Sequence, residues 1–129
     1  METNISNKCK AYTSLKQSKE LAKILPIESA DMRYSPLGDN MHPWIWTNTF
    51  IEKNAVPCWS LAALLNYLRE VDYFPEINAD EFEVTMSITY FNDHEARHLT
   101  PVHNIKVKAE SFIDACYELI LKLKEQKLL

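Results

Sequence analysis

The clearest pattern in the chain is a strict alternation of apolar and polar residues in the segment EFEVTMSITY. Apolar side chains occupy every second position from Phe82 to Tyr90, with polar side chains between them. Successive side chains of a strand point to opposite faces of a sheet, so this alternation predicts an antiparallel strand with one buried face. The segment HNIKVKA, in which Ile105 and Val107 alternate with polar residues, is its predicted partner strand.

The first and last helices are indicated by apolar residues at helical spacing behind a capping residue. Ser14 and Gln17 have the spacing of a capping box, and they open a predicted helix over about residues 15–25 that ends at Pro26. The C-terminal segment ESFIDACYELILKLKEQKLL forms a clean amphipathic stripe behind Ser111.

A central helix is predicted in the segment VPCWSLAALLNYLRE, where Pro57 suits the first helical turn. Apolar residues surround much of its circumference, so we expect it to be the most buried helix of the fold. Two short strands are predicted before it, near residues 31–34 and 44–50. They flank the turn-forming segment SPLGDN, which contains the chain's single glycine, Gly38.

The predicted order is therefore helix, two strands, helix, two strands, helix. Such an order is typical of an α+β domain, with three helices packed on one face of a small antiparallel sheet of about four strands. The chain of 129 residues fits one globular domain over residues 1–129. We expect residues 1–12 to be loosely ordered.

The charge of the chain argues against a general affinity for nucleic acids. The formal net charge is −4, whereas binding to phosphate backbones needs clustered and uncompensated Lys and Arg. Glu20 and Glu28 lie among the lysines near the N-terminus, a mixture typical of a solvated helix face. We therefore favour a protein over a nucleic acid as the partner.

Cysteine spacing and hydropathy indicate a reduced cytoplasmic protein. The three cysteines, Cys9, Cys58 and Cys116, are far apart and form no C-x-x-C pair, so neither a disulfide framework nor a thiolate zinc site is predicted. No apolar run approaches the roughly 18 residues of a membrane span, and the first thirty residues contain no apolar signal region.

The segment HEARH matches the H-E-x-x-H pattern of zinc proteases, with His94 and His98 as ligands and Glu95 as general base. The two histidines can meet one metal ion only on an α-helix. The flanking residues do not predict that helix, because a strand pattern leads into the segment and Pro101 follows it. Glu110 is the nearest substitute for a third ligand. A polar hairpin connection is the interpretation that we favour.

Three further residues have candidate chemistry. Cys58 lies near the predicted start of the central helix, where a thiol pKa is lowered, although a small buried cysteine is the commoner case. His103 shares a predicted inward face with its strand neighbours, which favours a hydrogen-bonded core histidine over a metal ligand. His42 has no identifiable partner in the sequence. We therefore assign no catalytic, cofactor-binding or metal-binding residue.

Four aromatic residues are candidates for a recognition surface, because aromatic side chains concentrate binding energy at interfaces. For Trp44 and Trp46 we favour core packing. For Tyr73 and Phe74, beside Pro75 in a predicted loop, packing and recognition are equally compatible with the sequence.

Three segments, SLKQSKELAKILPIESADMRY, VPCWSLAALLNYL and SFIDACYELILKLKEQKLL, together resemble a group of small proteins encoded by phages, prophages and other mobile elements of gut-dwelling anaerobic bacteria. The resemblance covers somewhat under half of the chain and leaves HEARH outside. It implies no catalytic residues, since none is established for that group. Related proteins have alanine at the position of Cys58, which a required nucleophile does not tolerate.

These observations together lead us to expect a non-enzymatic, cytoplasmic accessory or interaction protein of mobile-element origin. We expect no cofactor and no membrane partner, and we expect its partner to be a protein, a second copy of the chain included. Two alternatives stay open at this point. One is a zinc-dependent hydrolase that uses HEARH, and the other is a nucleic-acid-associated regulator.

Overall fold

The computed structural model describes residues 10–46, 53–80, 84–91 and 101–129. The described part contains three α-helices: α1 Leu15–Leu21, α2 Leu61–Glu70 and α3 Phe112–Glu125. It contains six strands: β1 Met32–Tyr34, β2 Trp44–Ile45, β3 Val56–Cys58, β4 Glu76–Ala79, β5 Val84–Phe91 and β6 Pro101–Ala109. A 3₁₀ turn at Ile27–Ser29 precedes β1.

The α+β class is confirmed, but the strands form two sheets where the sequence predicted one. The two antiparallel sheets have three strands each, in the orders β2-β1-β3 and β4-β5-β6. The sequence pattern missed β3 and β4. The first has only three residues with Pro57 in the middle, and every residue of the second is exposed, so neither shows alternation.

The predicted pairing of EFEVTMSITY with HNIKVKA is confirmed. β5 and β6 pair in antiparallel register, with Met86 opposite Val107 and Ile88 opposite Ile105. All four side chains are buried. Residues directly opposite each other lie on the same face of a sheet, and this shared face therefore forms one wall of the core.

Helix α3 lies against that wall, and its apolar stripe fills the core as predicted. Ser111 caps the helix by accepting a hydrogen bond from the backbone N–H of Asp114 at 3.0 Å. The stripe is completely buried and consists of Ile113, Ala115, Cys116, Leu119, Ile120 and Leu123. At about 25 cal/mol per Å² of apolar surface, this burial is the largest stabilising contribution of any helix in the described fold.

Helix α1 begins at the predicted capping box and ends earlier than predicted. The Gln17 backbone N–H donates to Ser14 Oγ at 3.1 Å, and the Ser14 N–H donates to Gln17 Oε1 at 3.0 Å. The α-helix ends at Leu21, and residues 22–25 form a tighter turn. Pro26 lacks an N–H and disfavours helical geometry in the residue before it, so the last turn tightens instead of continuing.

Helix α2 starts later than predicted, because Pro57 belongs to β3, where it lies opposite Arg33. An outer strand tolerates proline, since the missing N–H can face away from the sheet. Ser60 caps the helix instead, and its Oγ accepts from the Ala63 N–H at 3.1 Å. Trp59 therefore precedes the helix and is fully buried, with its indole N–H donating to Ser29 Oγ at 2.9 Å.

The prediction that the central helix is the most buried is wrong. Only Leu64 and Leu68 of α2 are buried, and Ala62 is exposed. Helix α3 contacts β5, β6 and α2, whereas α2 contacts α3 and the 3₁₀ turn. Helix α2 is thus the outer layer, and α3 lies between it and the sheet.

A buried cluster of hydrogen bonds around Thr13 connects the first sheet to α1. The Thr13 N–H donates to Trp59 O at 2.9 Å, and Thr13 Oγ1 accepts from the Trp59 N–H at 3.2 Å. The same Oγ1 shares a hydrogen bond with Ser18 Oγ at 2.7 Å. Tyr34 donates its phenol proton to Thr13 O at 2.7 Å. Because burial raises the pKa of Tyr34 far above its usual range, the phenol keeps that proton.

We expect Thr13→Val, which preserves shape and removes the hydroxyl, to lower the free energy of unfolding by about 1–3 kcal/mol, because the buried Trp59 N–H loses its acceptor. Urea denaturation monitored by circular dichroism measures this change. Thr85→Val, on a partly exposed position of β5, is the matched control and should change the free energy by no more than about 0.5 kcal/mol. Equal effects of the two substitutions would contradict a special role for Thr13.

Asp114 connects α1 to α3 through its side chain. Its Oδ1 accepts from Gln17 Nε2 at 2.7 Å and lies 3.2 Å from Lys10 Nζ. Partial burial by itself raises the Asp114 pKa, but the hydrogen bonds from Gln17 and Ser111 and the Lys10 ammonium outweigh that effect and hold the pKa below its ordinary value.

A carboxyl group with a lowered pKa stabilises the fold above its unfolded pKa of about 3.9, and this stabilisation is lost as the pH falls through the lower folded value. Asp114→Asn should therefore reduce the free energy of unfolding at pH 7 by about 0.5–1 kcal/mol, since the pair is partly exposed, and flatten its decline between about pH 5 and pH 2. Urea titrations across this pH range measure both effects. Glu76→Gln, which removes an exposed carboxylate on β4, serves as the control for net charge. If the free energy of unfolding of Asp114→Asn fell with decreasing pH as steeply as that of the wild type, the proposed contribution of Asp114 would be ruled out.

Candidate functional site

The most exposed apolar side chains of the described residues cluster on the hairpin formed by β1, β2 and their connection. Leu37 is 83% exposed, Met41 72% and Ile45 74%. Trp44 lies between them in the sequence and is 43% exposed. We call residues 35–45 with their four apolar side chains the Trp44 hairpin. Exposed apolar side chains gathered on one element of a small protein are a common mark of an interaction site.

The connection between the strands is held by short-range hydrogen bonds. The Gly38 N–H donates to Ser35 O at 3.0 Å, which closes a turn. Asp39 Oδ1 then accepts from the backbone N–H groups of Met41 at 2.8 Å and His42 at 2.7 Å. The His42 ring, for which the sequence showed no partner, lies with Nδ1 3.0 Å from Asp39 Oδ2. The hydrogen bonds from the His42 ring and the two N–H groups lower the Asp39 pKa, so this carboxylate is ionised at neutral pH.

Arg33 supports Trp44 from β1. Its guanidinium carbon lies 5.3 Å from the centroid of the Trp44 ring, within the range of a cation–π interaction. Its Nη1 donates to Ile45 O at 2.7 Å, and only 7% of the residue is exposed. The Trp44 ring also lies close to Gly38. A Cβ at position 38 would be 3.2 Å from Trp44 Nε1. A side chain at position 38 would therefore press on the ring, which would have to move by a few tenths of an ångström.

The loop is also tied to the body of the protein. The Tyr12 hydroxyl donates to Met41 O at 3.2 Å, and the backbone of Tyr12 bridges to Ser60 at the start of α2. The hairpin is thus held at its base by Arg33 and at its tip by Tyr12. The hairpin thus presents exposed apolar side chains and one carboxylate, Asp39, on a loop held by hydrogen bonds.

The preference for core packing of Trp44 is wrong, and Trp46 is half-buried. Strand β2 has two residues, both exposed, and is the outer strand of its sheet in the described part of the chain. Of the other two aromatic candidates, Tyr73 is half-buried and donates its hydroxyl to Leu128 O at 2.9 Å, whereas Phe74 is 65% exposed. The structure therefore places Tyr73 and Phe74 in different roles although they are neighbours.

Cys58 lies at the end of β3, before the Ser60 cap, and not in the first turn of a helix. Its thiol is fully buried and donates to Thr13 O at 3.4 Å. Burial raises the pKa of Cys58 despite the hydrogen bonds that it makes with Thr13, Ser18 and Tyr34. Burial likewise raises the pKa of Cys116 to about 12. Both thiols are neutral at physiological pH and are parts of the packing.

The HEARH segment at residues 94–98 lies outside the described residues, and so does Cys9. His103 lies opposite Tyr90 in the register of β5 and β6; the direction of its side chain is likewise outside the description. Among the described residues there is no group of three or more His, Cys, Asp or Glu side chains placed to hold a metal ion. In the same part of the chain, no helix combines the length and apolar character needed to cross a membrane.

Comparisons with known protein families, with curated proteins and with solved structures found no match to this chain.

Sequence reasoning missed the three most exposed residues of the Trp44 hairpin, Leu37, Met41 and Ile45. One signal was present, because these apolar residues stand among turn formers in SPLGDNMHPWIW, where a core contribution is uncommon. The pattern of the sequence does not reveal whether a second layer covers such a segment.

We expect Cys58 and Cys116 to react with iodoacetamide at pH 8 at least about tenfold more slowly in the folded protein than in urea, because only the thiolate reacts and burial disfavours it. Labelling at timed intervals followed by peptide mass spectrometry measures each cysteine separately. A free thiol peptide added to the same reaction is the internal control. Labelling of Cys58 at the rate of that peptide in the folded protein would contradict its assignment to the packing.

Proposed function

We propose that this protein is a non-enzymatic interaction protein that binds a protein partner through the Trp44 hairpin. The observation that carries the proposal is the exposure of Leu37, Met41 and Ile45 on a hairpin that Arg33 and Tyr12 hold in place. Exposed apolar side chains are costly in water unless a partner covers them.

Rigidity supports binding as the role of this surface. Ordering a loop on binding costs free energy, and a hairpin already ordered by its own hydrogen bonds avoids that cost. The Asp39 carboxylate organises the tip, and the close contact of Trp44 with Gly38 holds the ring against the loop. These contacts leave the ring partly open, as in aromatic anchors at interfaces.

The partner we infer is a different protein that offers an apolar pocket. Side chains exposed by 72–83% project from the surface, and a projecting apolar tip needs a concave apolar complement. Two concave surfaces of this chain are lined mainly by polar and charged side chains, one beside α3 and one around Glu28, Asn66 and Glu70. Neither offers that complement to a second copy. The net charge of −4 on each copy also opposes self-association.

Mobile-element origin is part of the proposal and rests on the three resembling segments of the sequence. A small accessory protein of a phage or prophage that acts by binding one host or phage protein is compatible with a single domain without an assigned catalytic residue. The first alternative function, a zinc-dependent hydrolase, depends on the HEARH segment, which lies outside the described residues.

We expect Leu37→Ser/Ile45→Ser to weaken binding to the partner about tenfold or more, because each buried anchor contributes about 1–2 kcal/mol at an interface. The partner is first captured with the wild-type protein, then purified, and its affinity for each variant is measured by calorimetry. Both substitutions lie on exposed side chains, so the melting temperature should stay close to that of the wild type.

Phe74→Ser/Ile77→Ser is the matched control, since it removes exposed apolar surface elsewhere and should preserve the affinity. Equal affinity of the hairpin variant and the wild type would refute the proposed surface. Sedimentation velocity of the protein alone decides the self-association case. If the wild type forms a dimer and the hairpin variant does not, the partner of the hairpin is a second copy of the chain and not a different protein.

A further inference from the structure

The outer edge of strand β4 is open in the part of the chain that the structure describes. Strand β4 lies at the end of its sheet and pairs with β5. All four of its residues, Glu76–Ala79, are exposed, and within the described residues their backbone bonds to β5 alone. In an antiparallel pair, every second residue directs its N–H and C=O away from the partner strand. Strand β4 therefore offers backbone hydrogen-bonding groups to a further strand.

The other outer strands of the described part are less suited to such pairing. Strand β2 has two residues, and β3 contains Pro57, which has no N–H to donate. At the end of β6, Lys108 and Glu110 already interact with other groups of the chain. Among these strands, β4 therefore presents the most accessible edge.

The apolar face of the second sheet continues onto β4 beyond the layer that covers it. Ile77 lies opposite Met86, and Ala79 lies opposite Val84. Residues directly opposite each other are on the same face of a sheet. Met86 and Val84 are fully buried, whereas Ile77 is 38% exposed and Ala79 is also exposed. Helix α3 packs on β5 and β6, so an added strand would cover the part of this face that α3 leaves open.

The segment that leads into β4 is fixed in place. The Tyr73 N–H donates to Leu68 O at 2.8 Å, and its hydroxyl donates to Leu128 O at 2.9 Å. Phe74 follows directly and is 65% exposed. A partner that binds here meets apolar side chains on an ordered backbone, which lowers the cost of ordering on binding.

The charges around β4 favour a basic occupant. Residues 70–80 contain four carboxylates and no Lys, Arg or His. Glu76 alternates with Ile77 and is therefore on the outer face of the sheet, where it forms no ion pair within the described residues. Its row continues through Ser87 to Lys106, two strands or about 10 Å away along the sheet. A cation on an added strand, directly opposite Glu76, would form a closer cross-strand pair.

We propose that the outer edge of β4 binds an extended segment of another protein, which adds to the sheet as a further strand. Its apolar side chains lie beside Ile77 and Ala79, and a Lys or Arg lies opposite Glu76. A second copy of the chain is a poor occupant, because pairing two β4 strands brings together two segments that carry only negative charges. The same charges disfavour a nucleic acid. This site is separate from the Trp44 hairpin, which belongs to the other sheet.

The test is an NMR titration of ¹⁵N-labelled full-length protein with the blocked peptide acetyl-Thr-Val-Lys-Val-Lys-Val-Thr-amide. We expect saturable shifts of the amides of Glu76–Ala79 and nuclear Overhauser effects between the backbones of β4 and the peptide. The same peptide with its central backbone nitrogens methylated keeps its charge but cannot donate the hydrogen bonds of a strand, and it should not bind. A version with Glu in place of Lys should bind about fivefold to tenfold more weakly.

Glu76→Lys should weaken binding of the Lys peptide by about fivefold to tenfold, because a repulsive cross-strand pair replaces an attractive one. Glu28→Lys, at an exposed position of the 3₁₀ turn before β1, makes the same change in net charge and should leave the affinity within about twofold.

Two double variants separate this site from the hairpin. Phe74→Ser/Ile77→Ser removes apolar surface at β4 and should weaken binding of the peptide about fivefold or more. Leu37→Ser/Ile45→Ser should bind the peptide like the wild type. The hairpin is tested with its own captured partner, so the two proposals can fail independently.

The proposal is overturned if no saturable shift appears up to millimolar peptide, if the shifts are confined to β6 or to the Trp44 hairpin, or if the methylated peptide binds equally well. Equal weakening by Glu76→Lys and Glu28→Lys would assign the effect to net charge and would overturn the cross-strand contact. Shifts of the β4 amides that depend on protein concentration alone would make a second copy the occupant and would also overturn the proposal.

Discussion

The architecture depends on the hydrogen bonds made by the backbone and hydroxyl of one buried residue, Thr13. Thr13 exchanges hydrogen bonds with the backbone of Trp59, accepts the phenol proton of Tyr34 and shares its hydroxyl with Ser18. A buried polar group without a partner is costly, so these partners must be brought together. Helix α1, strands β1 and β3 and the start of α2 are thereby fixed around one point. The first sheet is too small to be stable by its own strand pairing.

This cluster also determines where the hairpin lies. Tyr34 is the last residue of β1, and Arg33 precedes it on the same strand. Because adjacent residues of a strand point to opposite faces, Tyr34 packs on Thr13 while Arg33 supports Trp44 and Ile45. Tyr12, next to Thr13, adds the contact to Met41.

The second sheet and α3 form the larger part of the core, and here sequence reasoning was successful. The alternation in β5 and β6, the stripe of α3 and the two caps at Ser14 and Ser111 depend on local rules of geometry and hydrogen bonding. These rules hold whatever lies on the other side of the element. The same rules failed for β3 and β4, because three or four residues are too few to show a period, and they placed Pro57 in a helix because proline is also favoured in a first turn.

By itself the sequence determined the α+β class, the pairing of its longest strands and the amphipathic faces of its first and last helices. Periodicity specifies which face of an element is apolar, and it does not specify which layer covers that face. Only the tertiary structure decided that Trp44 stays partly open on an outer strand, that α3 and not α2 is the central helix, and that the apolar face of the second sheet continues onto the exposed strand β4. Each of these depends on contacts between segments far apart in the chain, which no local pattern encodes.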